Sequence, residues 1–320
     1  VGGMWIMAAI RHNNDLINRL PKVRGQLTQN VELAKLTWFR VGGPAEVLFR
    51  PADEADLIKF LKGLPTEIPV TILGVGSNIL VRDGGIPGVS IRLGSGFHHI
   101  SICGKTVTVG AGTPNLKLAN AAREEELAGM EFLCGIPGTL GGSIRMNAGA
   151  FEREIQDLVV NVRALSRSGE QVMLSAEQMN FGYRQTHVSP DFIFVTAKLR
   201  GYFGRQSQII ESMTKIQTER RSNQPVNQPT GGSTFTNPTG ATAWELIEKA
   251  GCRGLTRGGA QVSTKHCNFL INLGNATATD LEGLGEEVQQ RVFDNSGIKL
   301  EWEIKRIGVH KKCGFGKIDL

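Results

Sequence analysis

The sequence contains little cysteine, and this shortage excludes two classes of protein. Its five cysteines are an odd number among 320 residues, and none of them forms a C-x-x-C pair. Neither a disulfide framework nor a zinc site is compatible with that pattern. Free thiols are typical of a reducing compartment, so the sequence predicts a cytoplasmic protein without a bound metal.

Long apolar runs and aromatic residues are also scarce. No segment approaches the roughly 20 apolar residues of a membrane-spanning helix, and the apolar stretch 1–10 is too short and too poorly flanked for a signal peptide. Aromatic residues make up 6% of the chain and do not interleave with a basic run. The net charge of +6 therefore favours an anionic small molecule over nucleic acid or a membrane surface as the partner.

Glycine, in contrast, is abundant, with 40 residues concentrated in a few loops. The densest stretch is CGIPGTLGGSIRMNAG at 134–149, and two shorter ones are GVGSN at 74–78 and GAGT at 110–113. Such loops bring backbone N–H groups close to a ligand and can form anion-binding nests. Three of them predict one phosphate-bearing ligand, although a single glycine loop is more often only a tight turn.

The two common nucleotide-binding fingerprints are absent. There is no G-x-x-x-x-G-K-[ST] motif, and Ile79 stands where the third glycine of G-x-G-x-x-G belongs. The sequence therefore predicts neither a P-loop nor a Rossmann turn.

Hydrophobic periodicity predicts an α+β chain of more than one domain. The predicted helices cover 11–21, 55–62, 115–127, 207–221, 243–250 and 281–293. The predicted strands cover 46–50, 70–73, 79–81, 89–93, 106–109, 158–165, 171–174, 192–199, 267–272 and 301–307. Two prolines and two glycines break the pattern at 224–232, as expected of a domain boundary. The predicted division is an extension (1–36), a first domain of two α+β subdomains (37–205), a second domain (210–308) and a tail (309–320).

Four polar residues are candidates for chemistry, and each also has a purely structural interpretation. Ser233 lies between two glycines and an aromatic residue; without an adjacent histidine or a G-x-S-x-G elbow it fits a proton donor better than a nucleophile. Arg184, in FGYR, would bind a carboxylate or phosphate, or simply lie in solvent. Glu303 shares a polar strand face that is equally compatible with solvent, and His266 could contact a ligand or close a turn.

Six motifs in a fixed order extend this interpretation. They are GVGSNILVRDGGIPG, GIPGTLGGSIRMNAGAFEREI, FGYR, TGGSTFTNP, GGAQVSTKHCNFLIN and LEWEIKRIG. Together they closely resemble the UDP-N-acetylenolpyruvoylglucosamine reductase (UDP-N-acetylmuramate dehydrogenase) family, over about residues 37–308. The resemblance implies an FAD-binding domain of the vanillyl-alcohol-oxidase (PCMH) type followed by a C-terminal α+β substrate-binding domain.

The resemblance also implies a reaction. Family members use NADPH to reduce FAD, and the flavin N5 then delivers hydride to the enolpyruvyl ether of UDP-N-acetylglucosamine, giving UDP-N-acetylmuramate for peptidoglycan synthesis. Arg184 and Glu303 match the residues that stabilise the enolate-like intermediate, and Ser233 matches the proton donor. A protonated Glu303 would suit this role best, since a bare carboxylate repels the enolate. The protein is expected to act as a monomer.

Binding residues follow from the same motifs. The implied FAD contacts are Gly74, Gly76, Ser77, Asn78, Gly135, Pro137, Gly138, Gly142 and Asn147, and the implied substrate contacts are Arg184, Asn237, Arg221 and His266. The chain departs from the family at Asn223, where many members carry a lysine for the nucleotide diphosphate. Either Arg220 or Arg221 would take over that contact. With Tyr183 and Tyr202 as its only tyrosines, the chain resembles the shorter branch that lacks a tyrosine-bearing substrate loop.

Two other functions remain open at this level. Another flavin oxidase or dehydrogenase of the same fold would share the glycine loops, but not FGYR, TGGSTFTNP and LEWEIKRIG together. A non-catalytic FAD-binding module would bind the cofactor without turning over an enolpyruvyl substrate.

Overall fold

The chain forms three lobes, each built around one sheet, in a computed structural model that describes residues 16–311. The predicted helix 11–21 lies mostly outside the described residues, and only a 3₁₀ turn, Ile17–Arg19, is seen at its end. Of the predicted tail, residues 312–320 and with them Cys313 also lie outside.

The first lobe is a four-stranded sheet in the order β1-β2-β5-β3, with the last three strands parallel and β1 antiparallel at the edge. Asp53 caps the lobe's helix as predicted, because its Oδ1 accepts the Asp56 N–H at 2.9 Å. The strand β1 lies in the stretch predicted as an extension, so residues 26–32 belong to this sheet. The elements are β1 (Gln26–Glu32), β2 (Pro44–Arg50), α1 (Glu54–Gly63), β3 (Val70–Leu73), β4 (Ile79–Val81) and β5 (Ile86–Arg92).

The second lobe is an antiparallel sheet of five strands in the order β12-β11-β15-β7-β6, covered by helices. Its last helix, α5, buries Ile209, Met213 and Ile216 in the core of this lobe. α5 therefore belongs to the second lobe. The chain enters the third lobe after this helix, near residue 224, and not at the predicted boundary of 210. The elements are β6 (Ile100–Cys103), β7 (Thr106–Gly110), α2 (Asn115–Glu124), β8 (Leu127–Ala128), α3 (Leu140–Arg145), β9 (Gly149–Ala150), β10 (Arg153–Glu154), β11 (Val159–Leu165), β12 (Gln171–Ser175), α4 (Ala176–Met179), β13 (Phe181–Gly182), β14 (Gln185–Thr186), β15 (Ile193–Arg200), β16 (Tyr202–Phe203) and α5 (Gln206–Asn223).

The third lobe packs two helices on an antiparallel sheet in the order β17-β20-β19-β18. Its core includes Phe39 and Leu80 from the first lobe, so the two lobes share apolar packing. The elements are β17 (Thr230–Ser233), α6 (Ala243–Lys249), β18 (Thr256–Arg257), β19 (Ala260–Val262), β20 (Phe269–Asn272) and α7 (Ala278–Ser296), and β21 (Lys305–Ile307) follows this lobe.

The last strand returns to the first lobe. β21 pairs in parallel with β4, while Trp302 forms an isolated bridge with Phe235 of the third lobe. The predicted strand 301–307 is therefore divided between two lobes, because its two ends pair with different partners. Glu303 lies between those two pairings and so stands at the junction of the lobes.

Candidate functional site

A cleft that is open to solvent lies where the three lobes meet. Seven of the predicted site residues line it: Ser77, Asn78, Gly135, Pro137, Arg184, Ser233 and Glu303. The three predicted catalytic side chains therefore converge on one cleft, although they come from three distant segments of the chain.

The loop 74–78 presents free backbone donors at this cleft. Gly76 has φ +73°, and a Cβ there would lie 2.8 Å from the Leu36 carbonyl oxygen, so only glycine fits. The N–H groups of residues 75–78 make no hydrogen bond within residues 16–311. Four successive free N–H groups form the kind of nest that binds a phosphate.

The loop 135–142 supplies a second set of donors. The N–H groups of Gly138, Thr139 and Gly142 likewise have no acceptor within the described residues. The two loops are joined, because Ser77 Oγ donates to the Pro137 carbonyl at 3.0 Å. Unpaired main-chain donors on two linked loops fit the diphosphate of FAD, whose oxygens would accept their hydrogen bonds.

The third glycine loop, at 110–113, has a supporting role and corrects the expectation of three ligand-binding loops. The N–H groups of Ala111, Gly112 and Thr113 all donate to carbonyl oxygens of the protein. The Ala111 and Thr113 carbonyls in turn accept the N–H groups of Gly141 and Leu140 at 2.8 and 2.9 Å. This loop therefore holds the start of α3 in place, and its donors are not free for a ligand.

Arg184 is placed by a tight hairpin. It is the second residue of the two-residue turn between β13 and β14, with φ +57°, a left-handed conformation that is uncommon outside glycine. Its Nη2 donates to the Gly149 carbonyl at 3.0 Å, and its Nη1 lies 3.4 Å from Glu154 Oε1. Its Nε lies 3.6 Å from Glu303 Oε1. A strained turn thus holds a guanidinium between two carboxylates at the cleft.

Glu303 has an altered acidity. Burial raises its pKa from 4.5 to about 7, against the opposing effect of Arg184 and Lys305. Asn78 fixes the backbone here, because its Nδ2 donates to the Glu303 carbonyl at 3.3 Å. Glu303 is thus a carboxyl group that keeps its proton close to neutral pH, and perturbed groups of this kind cluster in functional sites.

Ser233 reaches the cleft because two glycines precede it. A Cβ on Gly231 would lie 2.3 Å from the Phe39 ring, and Gly232 has φ +83°. The register of β17 against β20 is irregular between Thr230 and Ser233. Within the part of the chain that the structure describes, Ser233 Oγ makes no hydrogen bond. The hydroxyl is therefore available to a ligand.

Of the two arginines expected to replace the missing lysine, the structure places Arg220 at the cleft. Arg220 lines the cleft and donates to Gln224 Oε1 at 3.2 Å, while Arg221 and Asn223 are exposed on α5 outside the lining. Burial lowers the pKa of Arg220. Successive helical residues point about 100° apart, so only one of the two arginines can face the cleft.

The other predicted contacts lie outside the lining of the cleft, and their roles stay predictions. Asn237 is exposed, and its Oδ1 accepts the Ala243 N–H at 2.9 Å at the start of α6. His266 Nδ1 accepts the Asn268 N–H at 3.3 Å, and burial lowers its pKa. Asn147 is 0% exposed, and both the oxygen and the nitrogen of its side-chain amide have protein partners, so any FAD contact would use its main chain.

Four of the predicted FAD-binding glycines belong to the two donor loops without lining the cleft themselves: Gly74, Gly76, Gly138 and Gly142.

Sequence reasoning also missed residues of the site. Trp38 and Met146 line the cleft, and Glu154 contacts Arg184. Two features of the sequence could have pointed to Trp38: it is one of only four tryptophans, and it precedes a glycine pair. Glu154 lies inside the motif GIPGTLGGSIRMNAGAFEREI, but the motif alone does not show which side chain Glu154 contacts.

Two negative findings apply to residues 16–311. No helix there combines the length and apolar character needed to cross a membrane. No group of three or more histidine, cysteine or acidic side chains is arranged there to hold a metal ion. Cys103, Cys134, Cys252 and Cys267 are free thiols.

Comparison with known proteins identifies both parts of the chain. The profile described as FAD binding domain matches residues 45–175. The profile described as UDP-N-acetylenolpyruvoylglucosamine reductase, C-terminal domain, matches residues 224–307 and so begins where α5 ends.

Similar proteins cover nearly the whole chain. The UDP-N-acetylenolpyruvoylglucosamine reductase of Azorhizobium caulinodans is 55% identical over 290 residues, 91% of this chain and 94% of that protein. That of Parvibaculum lavamentivorans is 53% identical over 308 residues, 96% of this chain and 99% of that protein. The crystal structure of UDP-N-acetylenolpyruvylglucosamine reductase from Thermus caldophilus has a TM-score of 0.78 at 33% identity, covering 90% of this chain and 100% of that one.

These findings settle three predictions made from the sequence. The predicted fold class, an FAD-binding domain followed by a C-terminal α+β domain, is confirmed. FAD as cofactor is confirmed, and its diphosphate fits the free donors of the two cleft loops. Identity above 50% over more than nine-tenths of the chain excludes both alternatives, another flavin oxidase or dehydrogenase of the same fold and a non-catalytic FAD-binding module: the chain belongs to the UDP-N-acetylenolpyruvoylglucosamine reductase family of FAD-dependent oxidoreductases.

Proposed function

We propose that this chain reduces the enolpyruvyl ether of UDP-N-acetylglucosamine to UDP-N-acetylmuramate, with NADPH as the electron donor. The observation that carries the proposal is the convergence of Arg184, Ser233 and Glu303 on one cleft beside the two donor loops. The two donor loops would hold FAD, which would supply the redox chemistry that takes a hydride from NADPH to the terminal carbon of the enolpyruvyl group.

Arg184 provides the charge that this reaction needs. Addition of hydride to the terminal carbon puts negative charge on the neighbouring carbon and its carboxylate. The guanidinium is held in place by Gly149 and by the hairpin before any substrate arrives. A preorganised cation stabilises the developing charge more than it stabilises the ground state, and this difference accelerates the reaction.

Glu303 assists in its protonated form. Since burial raises its pKa to about 7, the carboxyl group carries a proton in most molecules below that pH. A neutral acid can donate a hydrogen bond to the enolate oxygen, whereas a carboxylate would repel it.

Ser233 completes the addition across the double bond. Its hydroxyl gives a proton to the carbon next to the carboxylate, so that one hydride and one proton have been added. The freedom of Ser233 Oγ from protein hydrogen bonds supports this role. The alkoxide that remains recovers a proton from solvent at the open side of the cleft.

The test is a visible absorption spectrum of the purified FAD-bound protein under anaerobic conditions. NADPH should bleach the flavin band, and the enolpyruvyl nucleotide should restore it. A band that bleaches and does not return would rule out this substrate, and a band that NADPH leaves unchanged would rule out this donor. The free cysteines support a cytoplasmic location, and we propose that the active form is a monomer.

A further inference from the structure

Arg184 contacts two carboxylates, and only one of them has a role in the reaction proposed above. Glu154 Oε1 lies 3.4 Å from Nη1, and Glu303 Oε1 lies 3.6 Å from Nε. The side chains of all three residues are largely buried, with 19% of Arg184, 25% of Glu154 and 15% of Glu303 exposed. One guanidinium charge balances one carboxylate, so Arg184 alone cannot compensate both carboxyl groups when both are ionised.

The two carboxyl groups differ in the hydrogen bonds that they accept. Glu154 Oε2 accepts hydrogen bonds from Asn147 Nδ2 at 2.9 Å and from Gln156 Nε2 at 2.8 Å. The side chain of Glu303 accepts none from residues 16–311. Donors directed at a carboxyl group stabilise its ionised form, and burial without donors stabilises its neutral form.

Asn147 connects this carboxylate to the hairpin that carries Arg184. Its Nδ2 also donates to the Gly182 carbonyl at 3.0 Å, and its Oδ1 accepts the Gln156 N–H at 3.0 Å. One buried amide thus fixes Glu154 and the base of the β13–β14 turn together. The distance between Glu154 and Arg184 is therefore set by the fold before any ligand binds.

We propose that Glu154 is a positioning residue that serves as the permanent counter-ion of Arg184 and thereby leaves Glu303 free to keep its proton. The inference deepens the proposed function, because it rests on a neutral Glu303 as the acid beside the enolate. Without the negative charge of Glu154, the guanidinium would turn to Glu303 and draw it into an ion pair. The site would then hold a carboxylate where the reaction needs a hydrogen-bond donor.

Other charged groups near the site do not replace Glu154. Lys305 and Arg184 act on Glu303, and both favour its ionised form. Arg220 lines the same cleft and adds a third positive charge. The ring centroid of Tyr183 lies 4.9 Å from the guanidinium carbon of Arg184, and this side chain is not a carboxylate. Among the described groups that touch Arg184, Glu154 is the only other carboxylate.

The test compares Glu154→Gln with Glu152→Gln in the FAD-bound enzyme. Glu152 is an exposed glutamate two positions away, so its variant removes the same charge outside the site. Infrared spectroscopy follows the protonated carboxyl group of Glu303 against pH, with Glu303→Gln used to assign the band. The titration midpoint should fall by about one pH unit or more in Glu154→Gln and stay unchanged in Glu152→Gln. This measurement needs no substrate, so its failure is distinct from failure of the proposed reaction.

Two further variants separate charge from shape. Glu154→Asp retains the negative charge and should keep the midpoint near that of the wild type. In an Arg184→Met background, adding Glu154→Gln should leave the midpoint unchanged, because the effect acts through the guanidinium. An unchanged midpoint in Glu154→Gln with normal FAD content, or equal shifts in Glu154→Gln and Glu154→Asp, would overturn the proposal.

Discussion

Single residues at the cleft owe their positions to neighbours that perform no chemistry. Gly231 and Gly232 bring Ser233 forward, and Gly149 offers its carbonyl to Arg184. A Cβ on Gly149 would lie 2.8 Å from Arg184 Nη1, so this position must be a glycine for the guanidinium to fit. Much of the glycine in the motifs therefore serves the reacting side chains as well as the cofactor.

Ser233→Ala should separate the two halves of the reaction. The variant should bind FAD and be bleached by NADPH at the wild-type rate, because the hydroxyl acts only on the substrate. Product formation should fall by about 10²–10⁴-fold, the usual contribution of a positioned general acid. Stopped-flow absorption of each half-reaction measures both effects, with the exposed Ser222→Ala as control. Normal product formation in Ser233→Ala would remove the hydroxyl from the mechanism.

Glu303→Gln should reveal the cost of ionising a buried carboxyl group. The folded pKa of about 7 exceeds the ordinary value of 4.5, so the proton stabilises the fold at low pH. That contribution is fully present below about 4.5 and is lost as the pH rises through about 7. The neutral glutamine avoids this loss, so the variant should match the wild type at pH 4 and exceed it by about 1–3 kcal/mol at pH 8.

Urea unfolding at the two pH values measures that difference in the free energy of unfolding. Glu301→Gln, at an exposed position two residues away, is the control and should show no such dependence. A difference that is equal at both pH values would contradict a raised pKa at Glu303.

Residue types were easier to predict than the direction in which side chains point. The motifs named Arg184, Ser233 and Glu303, and the structure brings all three to one cleft, because each is tied to a turn or strand end. They did not separate Arg220 from Arg221, because the choice depends on the rotation of α5 against the cleft. They also did not show Glu154 as a partner of Arg184, since that contact forms only when two hairpins come together.

At the scale of elements, strong local signals gave accurate bounds. β3 has the predicted limits, and α1 begins after the predicted cap at Asp53. α3 has no such signal, because Gly141 and Gly142 disfavour a helix by about 1 kcal/mol each. It forms because the carbonyls of the loop 110–113 receive its first N–H groups. β1 was missed because its residues, QLTQNVE, are mostly polar and only half-buried.

Asp83→Ala should weaken one helix more than the rest of the fold. Asp83, from the first lobe, accepts the N–H groups of Ala278 and Thr279 at 2.9 Å each and the Thr279 hydroxyl at 2.6 Å. A carboxylate at a helix N-terminus satisfies free donors and interacts favourably with the helix dipole. Its loss should lower the free energy of unfolding by about 1–2 kcal/mol and speed hydrogen exchange in the first turn of α7.

Asp294→Ala provides the matched control for that helix. Asp294 lies exposed in the last turn of α7, where a negative charge opposes the dipole. Its removal should leave stability unchanged or raise it slightly. Equal hydrogen exchange in Asp83→Ala and in the wild type would show that the bond to the first lobe does not hold the helix.

At the scale of the whole molecule, a buried ion cluster joins the first lobe to the third. Glu282 of α7 is 5% exposed and lies 2.8 Å from Arg82 Nη2 and 3.1 Å from Arg306 Nη1. The bond to Arg82 lowers the pKa of Glu282. Its stabilisation is therefore present above the ordinary glutamate range and is lost as the pH falls below it.

Glu282→Gln should lower the free energy of unfolding by about 2 kcal/mol at pH 7, because two arginines lose their common carboxylate. The difference should shrink below about pH 4, where the wild-type carboxylate is also protonated. Chemical unfolding at both pH values tests this, with the exposed Glu286→Gln as control, for which a surface pair predicts less than about 1 kcal/mol. If the difference in the free energy of unfolding stays the same at all pH values, Glu282 stabilises the fold through its packing and not through its charge.

The organisation into domains was predictable, but the exact division was not. The prolines and glycines at 224–232 indicated a domain boundary. The predicted limit of 210 nevertheless assigned α5 to the third lobe, whereas its buried residues belong to the core of the second lobe. The apolar stripe of α5 shows that the helix is buried on one side, but a stripe does not say which sheet lies opposite.

The pairing of β21 with β4 makes the site dependent on the order of synthesis. The sheet of the first lobe can form once β5 has left the ribosome, but β4 must wait for its partner β21, near the end of the described residues. Glu303 precedes β21 by only two residues and is fixed at the cleft by that same pairing. A nascent chain interrupted before this point lacks both β21 and Glu303, so the cleft is complete only in molecules whose β21 has been synthesised.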